Sequence, residues 1–108
     1  MRMRRRLVKT YALRRRIKSK DAEGGSVITW SEPVTIRATT WQASGRVLAE
    51  MYGERLAYMR NMEYEGTEEI KENDGLCIFV APDSKPDYRV VSVNANYHPT
   101  IILLEALH

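Results

Sequence analysis

Few side chains in this 108-residue sequence could do covalent or acid–base chemistry: one cysteine, two histidines and fourteen Asp/Glu. Cys77 stands inside the apolar run Leu76-Cys77-Ile78-Phe79-Val80, where a lone cysteine packs as a small hydrophobe. A nucleophilic thiol needs an activating base, and the histidines, His98 and His108, lie near the C-terminus. His98 falls in Asn96-Tyr97-His98-Pro99, which reads as an exposed turn. One cysteine and two distant histidines do not supply the four ligands of a zinc site. No glycine-rich phosphate loop of either common spacing occurs. The carboxylates Glu63, Glu65, Glu68, Glu69, Glu72 and Asp74 crowd one stretch, but their spacing fits no EF-hand loop. They read as a solvated connection, or as a contact surface for a basic neighbour. The expectation is a protein with no catalytic residue, no cofactor site and no metal ligands.

Charge is the more informative chemistry. Residues 1–20 carry ten of the seventeen Lys/Arg and no acid, whereas the rest of the chain nets −7, so the formal charge of +3 conceals a dipole. A cationic end and an anionic body suit contact with a polyanion, an acidic neighbour or another copy. Arg4, Arg5 and Arg6, with Arg2, form a basic arm, and Arg14, Arg15 and Arg16 form a second cluster. These six arginines are the candidate contacts to DNA or an acidic partner. Such contacts neutralise phosphates without reading sequence, and they weaken with salt. The aromatic pattern of an RNA-recognition sheet is missing. A single cysteine favours a reducing compartment. No apolar run approaches the ~20 residues that span a bilayer, and the basic start lacks the apolar core of a signal peptide. No membrane partner is expected.

The elements that must position these groups read mostly as strands. Leu7 to Ile17 alternates imperfectly with period two and predicts one long edge or hairpin strand. Asp21 to Ser26 contains Gly24-Gly25 and predicts a turn, and Ser26 to Trp30 resumes a β-branched run, so the two make a hairpin. Pro33 marks a strand boundary. Val34 to Gln42 then places Val34, Ile36, Ala38 and Thr40 on one face. Ser44 is the expected N-cap of a short helix that stops at Gly53. Strands are expected over Arg55 to Tyr64, Leu76 to Val80, Tyr88 to Val93 and Thr100 to Leu107. The fold class is mainly β: a small antiparallel β-barrel of six to seven strands, with one short helix inserted mid-chain and long flexible loops.

Two tryptophans and six tyrosines exceed what so small a core can bury, and both residue types anchor interfaces. The helix and the strand after it offer the candidate subunit interface, through Val47, Leu48, Met51, Tyr52 and Tyr58. The alternative is that the helix simply caps the barrel.

This order of elements resembles the head-tail joining proteins of tailed bacteriophages, also called head-closure or head-tail adaptor proteins. The resemblance rests on the basic opening strand and Lys20-Asp21-Ala22-Glu23-Gly24-Gly25, the Trp30 strand, and Val34-Thr35-Ile36-Arg37-Ala38. It continues through the Gln42-Ala43-Ser44-Gly45 break, the Ile70-Lys71-Glu72-Asn73-Asp74-Gly75 turn, Asp87-Tyr88-Arg89-Val90-Val91-Ser92-Val93 and Ile101-Ile102-Leu103-Leu104-Glu105. It covers nearly the whole chain as a pattern of order. The charge run marks a flexible basic arm over 1–6, and the resemblance implies a single β-barrel head-tail joining domain over 7–108. It further implies a ring at the head-tail connector of a phage or prophage virion, made in the bacterial host cytoplasm. Portal, adaptor and tail-completion proteins are the implied partners, with no enzymatic activity and no cofactor. The Arg4–Arg6 start is more basic than the family pattern, so non-specific contact with packaged DNA is inferred from charge alone. The rival reading is a small non-specific nucleic-acid-binding β-barrel.

Overall fold

Residues 8–95 and 99–107 are described in the computed structural model. Eight strands occur among them: β1 (Lys9–Arg14), β2 (Arg16–Lys20), β3 (Ser26–Trp30), β4 (Val34–Gln42), β5 (Met59–Tyr64), β6 (Gly75–Cys77), β7 (Tyr88–Asn94) and β8 (Thr100–Ala106). Six of them close an antiparallel barrel in the order β1-β4-β5-β8-β7-β6, and β2-β3 stand outside it as a two-stranded hairpin. The helix α1 (Arg46–Tyr52) continues into a 3-10 helix, Gly53–Tyr58, before β5 begins.

The first four strands form one long ribbon that changes role halfway. Its lower part pairs Leu13 with Val34 inside the barrel, and its upper part pairs Arg16 with Trp30 beyond the rim. The expected single strand over Leu7 to Ile17 therefore breaks at Arg15. There the Arg15 N–H donates to Ser31 Oγ at 2.9 Å, and the Ser31 N–H returns to Arg15 O at 2.9 Å. Pro33, which lacks a ladder donor, sits in the same corner. At the far end Asp21 Oδ1 accepts the N–H groups of Glu23 and Gly25, while Gly24 takes a positive φ of 86°. That is the turn the glycine pair predicts. The ribbon lengthens the molecule, whose extents are 56 × 30 × 26 Å.

Alternation explains most of the barrel. Leu13, Ile36, Ala38, Met62, Tyr64, Leu76, Val90, Ile102 and Leu104 point inward and are buried together with Ile70. Ile36 and Ala38 follow the parity expected of β4, and in β8 Ile102 and Leu104 take the inward face while Leu103 packs outside. In β7 the register shifts between Val90 and Ser92, an irregularity that leaves Val91 unpaired. It lets Val90 and Val93, three positions apart, both reach the core, while Val91 packs outside.

A second cluster lies on the outer surface of β5 and β8. Ala43, Met59 and Leu103 are buried there beneath Leu48, Tyr52 and Leu56. The helix thus covers a patch of the barrel's outside, and none of its own residues is fully buried.

Three expected boundaries are corrected. The N-cap is Gly45, at a φ of 114°, and no side chain caps the helix; Ser44 lies one residue too early. Gly53 ends the helix as expected, with a φ of 56°. Its departure leads into the 3-10 turn, so the strand expected from Arg55 begins only at Met59. The strand expected over Leu76 to Val80 ends at Cys77. Beyond it the N–H groups of Ile78 and Phe79 donate to the Asp87 carboxylate at 2.8 and 3.0 Å. A carboxylate takes the place of the ladder, and Phe79 and Val80 emerge 69% and 40% exposed. The acidic connection is not wholly solvated either, because Ile70 turns into the core.

Candidate functional site

The Arg14-Arg15-Arg16 cluster divides at the barrel rim. Arg14 donates from Nε to Ser31 O at 2.8 Å and from Nη1 to Ser84 O at 2.7 Å, tying the ribbon's corner to the loop before β7. Arg15 reaches the other way. Its Nη1 donates to Glu69 O at 2.5 Å and lies 3.8 Å from Asp74 Oδ2, and its Nη2 meets Glu68 Oε1 at 3.2 Å. Two of the three arginines therefore fix the hairpin's base against the subunit's own acidic segment and loop. Arg16 begins β2 and is exposed. Arg4, Arg5 and Arg6 lie outside the described residues.

Arg16 has companions that the cluster of arginines alone does not reveal. Directly paired residues share a face of an antiparallel ribbon. The pairs Arg16–Trp30, Lys18–Ile28 and Lys20–Ser26 therefore form one face, and Ile17–Thr29 and Ser19–Val27 form the other. The first face carries three cations and the second carries no charge. Every residue of the hairpin except Trp30 is exposed, including Ile17, Val27 and Ile28. Trp30 is held at the base, where its Cζ3 and Pro86 both crowd the space that a Cβ on Gly75 would take. Two acids, Asp21 and Glu23, sit at the turn.

On the barrel's flank a groove of about 620 Å³ runs beside β4. β5 pairs with β4 only from Ala38 onward, so among the described residues no strand lies beside the edge of Val34–Arg37 that faces away from β1. Glu63, Glu65 and Glu68 line the groove with Val34 and Ile36, and one cation, Arg37, lines it with them. Tyr64 closes its floor, its hydroxyl accepting the Glu68 N–H at 2.9 Å. Glu68 is engaged by Arg15, whereas Glu63 and Glu65 have no ion-pair partner among the described residues.

The expected interface on the helix splits into two faces. Leu48 and Tyr52 turn inward onto the outer cluster. Val47 and Met51, one turn apart, project outward at 68% and 64% exposure, and Tyr58 is 53% exposed. The turn below is fastened by Glu105. Its carboxylate accepts from Arg55 Nη2 at 2.7 Å and Nε at 2.8 Å and from Arg89 Nη2 at 3.0 Å. The Arg55 bonds hold the Glu105 carboxyl below the usual carboxylate range, against the opposing effect of burial, and Arg89 adds to the same direction.

Groups with reactive potential are placed for packing. Cys77 is buried, and desolvation pushes its thiol up, with Asp87 adding to the effect. A raised thiol pKa makes a poorer nucleophile at neutral pH. At one mouth of the barrel the Arg60 guanidinium lies 5.3 Å from the Phe79 ring centre, and Phe79 meets Tyr88 edge-on at 6.1 Å. Burial pushes the Tyr88 hydroxyl up, with Arg60 opposing. Among the described residues no three His, Cys, Asp or Glu side chains converge as a metal site, and no helix is long and apolar enough to cross a membrane.

The arrangement defines a closed β-barrel with a projecting cationic ribbon and an acidic flank. Comparison with protein-family models, curated proteins and solved structures finds no match to this chain.

Proposed function

We propose that this chain is a structural subunit of a phage or prophage virion. It assembles as a ring at the head-tail connector, closes the DNA-filled head and offers the docking surface for the tail. Its partners are further copies of itself, the portal or adaptor above and the tail-completion proteins below. It is made in the bacterial host cytoplasm and acts in the virion, by mechanical service and without chemistry.

The reading draws on the resemblance in element order and on one structural observation. The hairpin stands off the barrel with nearly all its residues exposed, and among the described residues its cations have no ion-pair partner, nor do Glu63 and Glu65 on the same subunit's flank. A two-stranded hairpin is marginal by itself in water, so its use lies in contact with something else. Opposite charges at separate places on one subunit favour head-to-tail contacts, which close into rings when the rotation allows. The arm of residues 1–6 would then repeat its charge around a channel that holds DNA.

A second reading takes the Arg16, Lys18 and Lys20 face as a non-specific nucleic-acid contact. It requires a monomer that binds duplex DNA with a steep salt dependence.

Deleting the gene from a replicating element that carries it tests the connector. The expected particles are filled heads that lack tails and leak DNA, restored by the gene in trans. Normal infectious virions from the deletion would overturn the proposal.

A further inference from the structure

The cationic face of the hairpin and the acidic groove beside β4 are two halves of one contact. We infer that the β2–β3 hairpin of one copy docks, through Arg16, Lys18 and Lys20, onto the Glu63–Glu68 groove of the next copy. The inference rests on the ring reading for its biological setting and specifies which surfaces make the ring.

Four observations carry it. The hairpin's three cations lie on one face, two residues apart, so neighbouring charges stand about 7 Å apart along the extended strand. Glu63 and Glu65 are likewise two positions apart where β5 ends, and neither has an ion-pair partner among the described residues. The groove contains a stretch of β4 edge at Val34–Arg37 that no strand among the described residues covers, with apolar Val34 and Ile36 among its lining. Ile28 lies across from Lys18, so the docking face brings an exposed apolar side chain as well as charge.

A subunit cannot readily satisfy this pairing by itself. Its own corner is fixed by Arg14 and Arg15, and Arg15 already occupies Glu68 from the same side of the barrel. Among the described residues Arg16, Lys18 and Lys20 have no ion-pair partner within the subunit, so they are left for a second molecule. The contact joins two different surfaces, and each copy carries one of each. The assembly therefore propagates, closing as a ring or continuing as a filament.

Sedimentation velocity of the full chain over a wide concentration range, at low and at physiological salt, tests the contact. Wild type should self-associate, less so as salt screens the charges. Reversing the hairpin (Arg16→Glu, Lys18→Glu, Lys20→Glu) or the groove (Glu63→Lys, Glu65→Lys) should each weaken association about tenfold or more. The milder Lys18→Gln, Lys20→Gln pair should move it in the same direction. Equal mixtures of the two charge-reversed proteins should associate again, and circular dichroism verifies that each is folded. A wild-type chain that stays monomeric at every concentration overturns the inference. So does association indifferent to both reversals, failure of the mixture to recover, or loss of DNA binding alone on reversing the hairpin. Association through this pair in a protein that does not close heads would refute the connector and leave the contact standing. Head closure unaffected by the reversals would refute the contact alone.

Discussion

Gly75 leaves the room in which Trp30 seats against the barrel, beside the Arg14 and Arg15 contacts that fix the hairpin's base, and Gly75→Ala is the substitution that tests it. A methyl group at this position would lie 2.5 Å from Pro86 Cγ, 2.7 Å from Pro86 Cβ and 2.9 Å from Trp30 Cζ3. Carbon atoms in contact prefer about 3.5–4.0 Å, so ring atoms must retreat by about an ångström. Neither neighbour yields cheaply: Pro86 is buried and cyclic, and Trp30 is the one hairpin residue held against the barrel. Gly75 also pairs with Arg14 on one side and Arg89 on the other, so its three-residue strand closes the barrel. Overpacking of this kind costs about 1–3 kcal/mol. For a domain of this size each kcal/mol lowers Tm by about 4–8 °C. Urea titration should show the loss with an unchanged m-value. In a Trp41→Phe background, Trp30 fluorescence should shift to the red as the ring is pushed toward water. Stability within about 0.5 kcal/mol of wild type, with unmoved emission, would refute the claim that space at Gly75 seats Trp30 against the barrel.

Three further outcomes follow from the packing and the charges. Glu105→Gln should flatten the acid limb of the stability profile. The folded carboxyl titrates below its ordinary range, so the bonds to Arg55 and Arg89 stabilise fully above the unfolded value near ~4.3 and are lost as pH falls through the folded one; an unchanged profile would deny that role. Leu76→Ala, at a fully buried site, should cost about 2–5 kcal/mol, while Met51→Ala on the outward face of the helix should stay within about 0.5 kcal/mol, both read by urea titration. Cys77 should react with a thiol reagent in the native state far more slowly than a free thiol, and at the ordinary rate once urea unfolds the chain; fast native labelling would contradict its burial and raised pKa.

The parts of the fold that alternation governs are readable in the sequence. Ile36 and Ala38 declare an inward face by spacing alone, and Gly24-Gly25 and Gly53 mark turns that only a few backbones can make. What was not readable depends on partners far along the chain. Leu76 to Val80 is apolar throughout, yet the Asp87 carboxylate ends the strand at Cys77. Leu56 and Tyr58 keep the parity of a strand but lie in the 3-10 turn that follows the left-handed Gly53. Val90 and Val93 share the core only because the register slips at Val91.

The candidate surfaces show the same division. Three consecutive arginines look alike in sequence, and only tertiary contact distinguishes Arg14 and Arg15, which hold the corner, from Arg16, which faces outward. Runs of arginine point to Arg16 and pass over Lys18 and Lys20. The signal was present in the two-residue spacing of Arg16, Lys18 and Lys20, once that segment is taken as a free ribbon rather than as part of a barrel strand. Val47 and Leu48 are neighbours in sequence and diverge on the helix, one outward and one onto Met59 and Leu103.

Electron microscopy of DNA-filled, tailless heads incubated with the purified chain tests the connector most directly. The account predicts a ring of copies at the portal vertex, with each hairpin reaching the flank of its neighbour and with genome retained in the capsid. Bare portal vertices, with the chain free in solution or spread along released DNA, would contradict it.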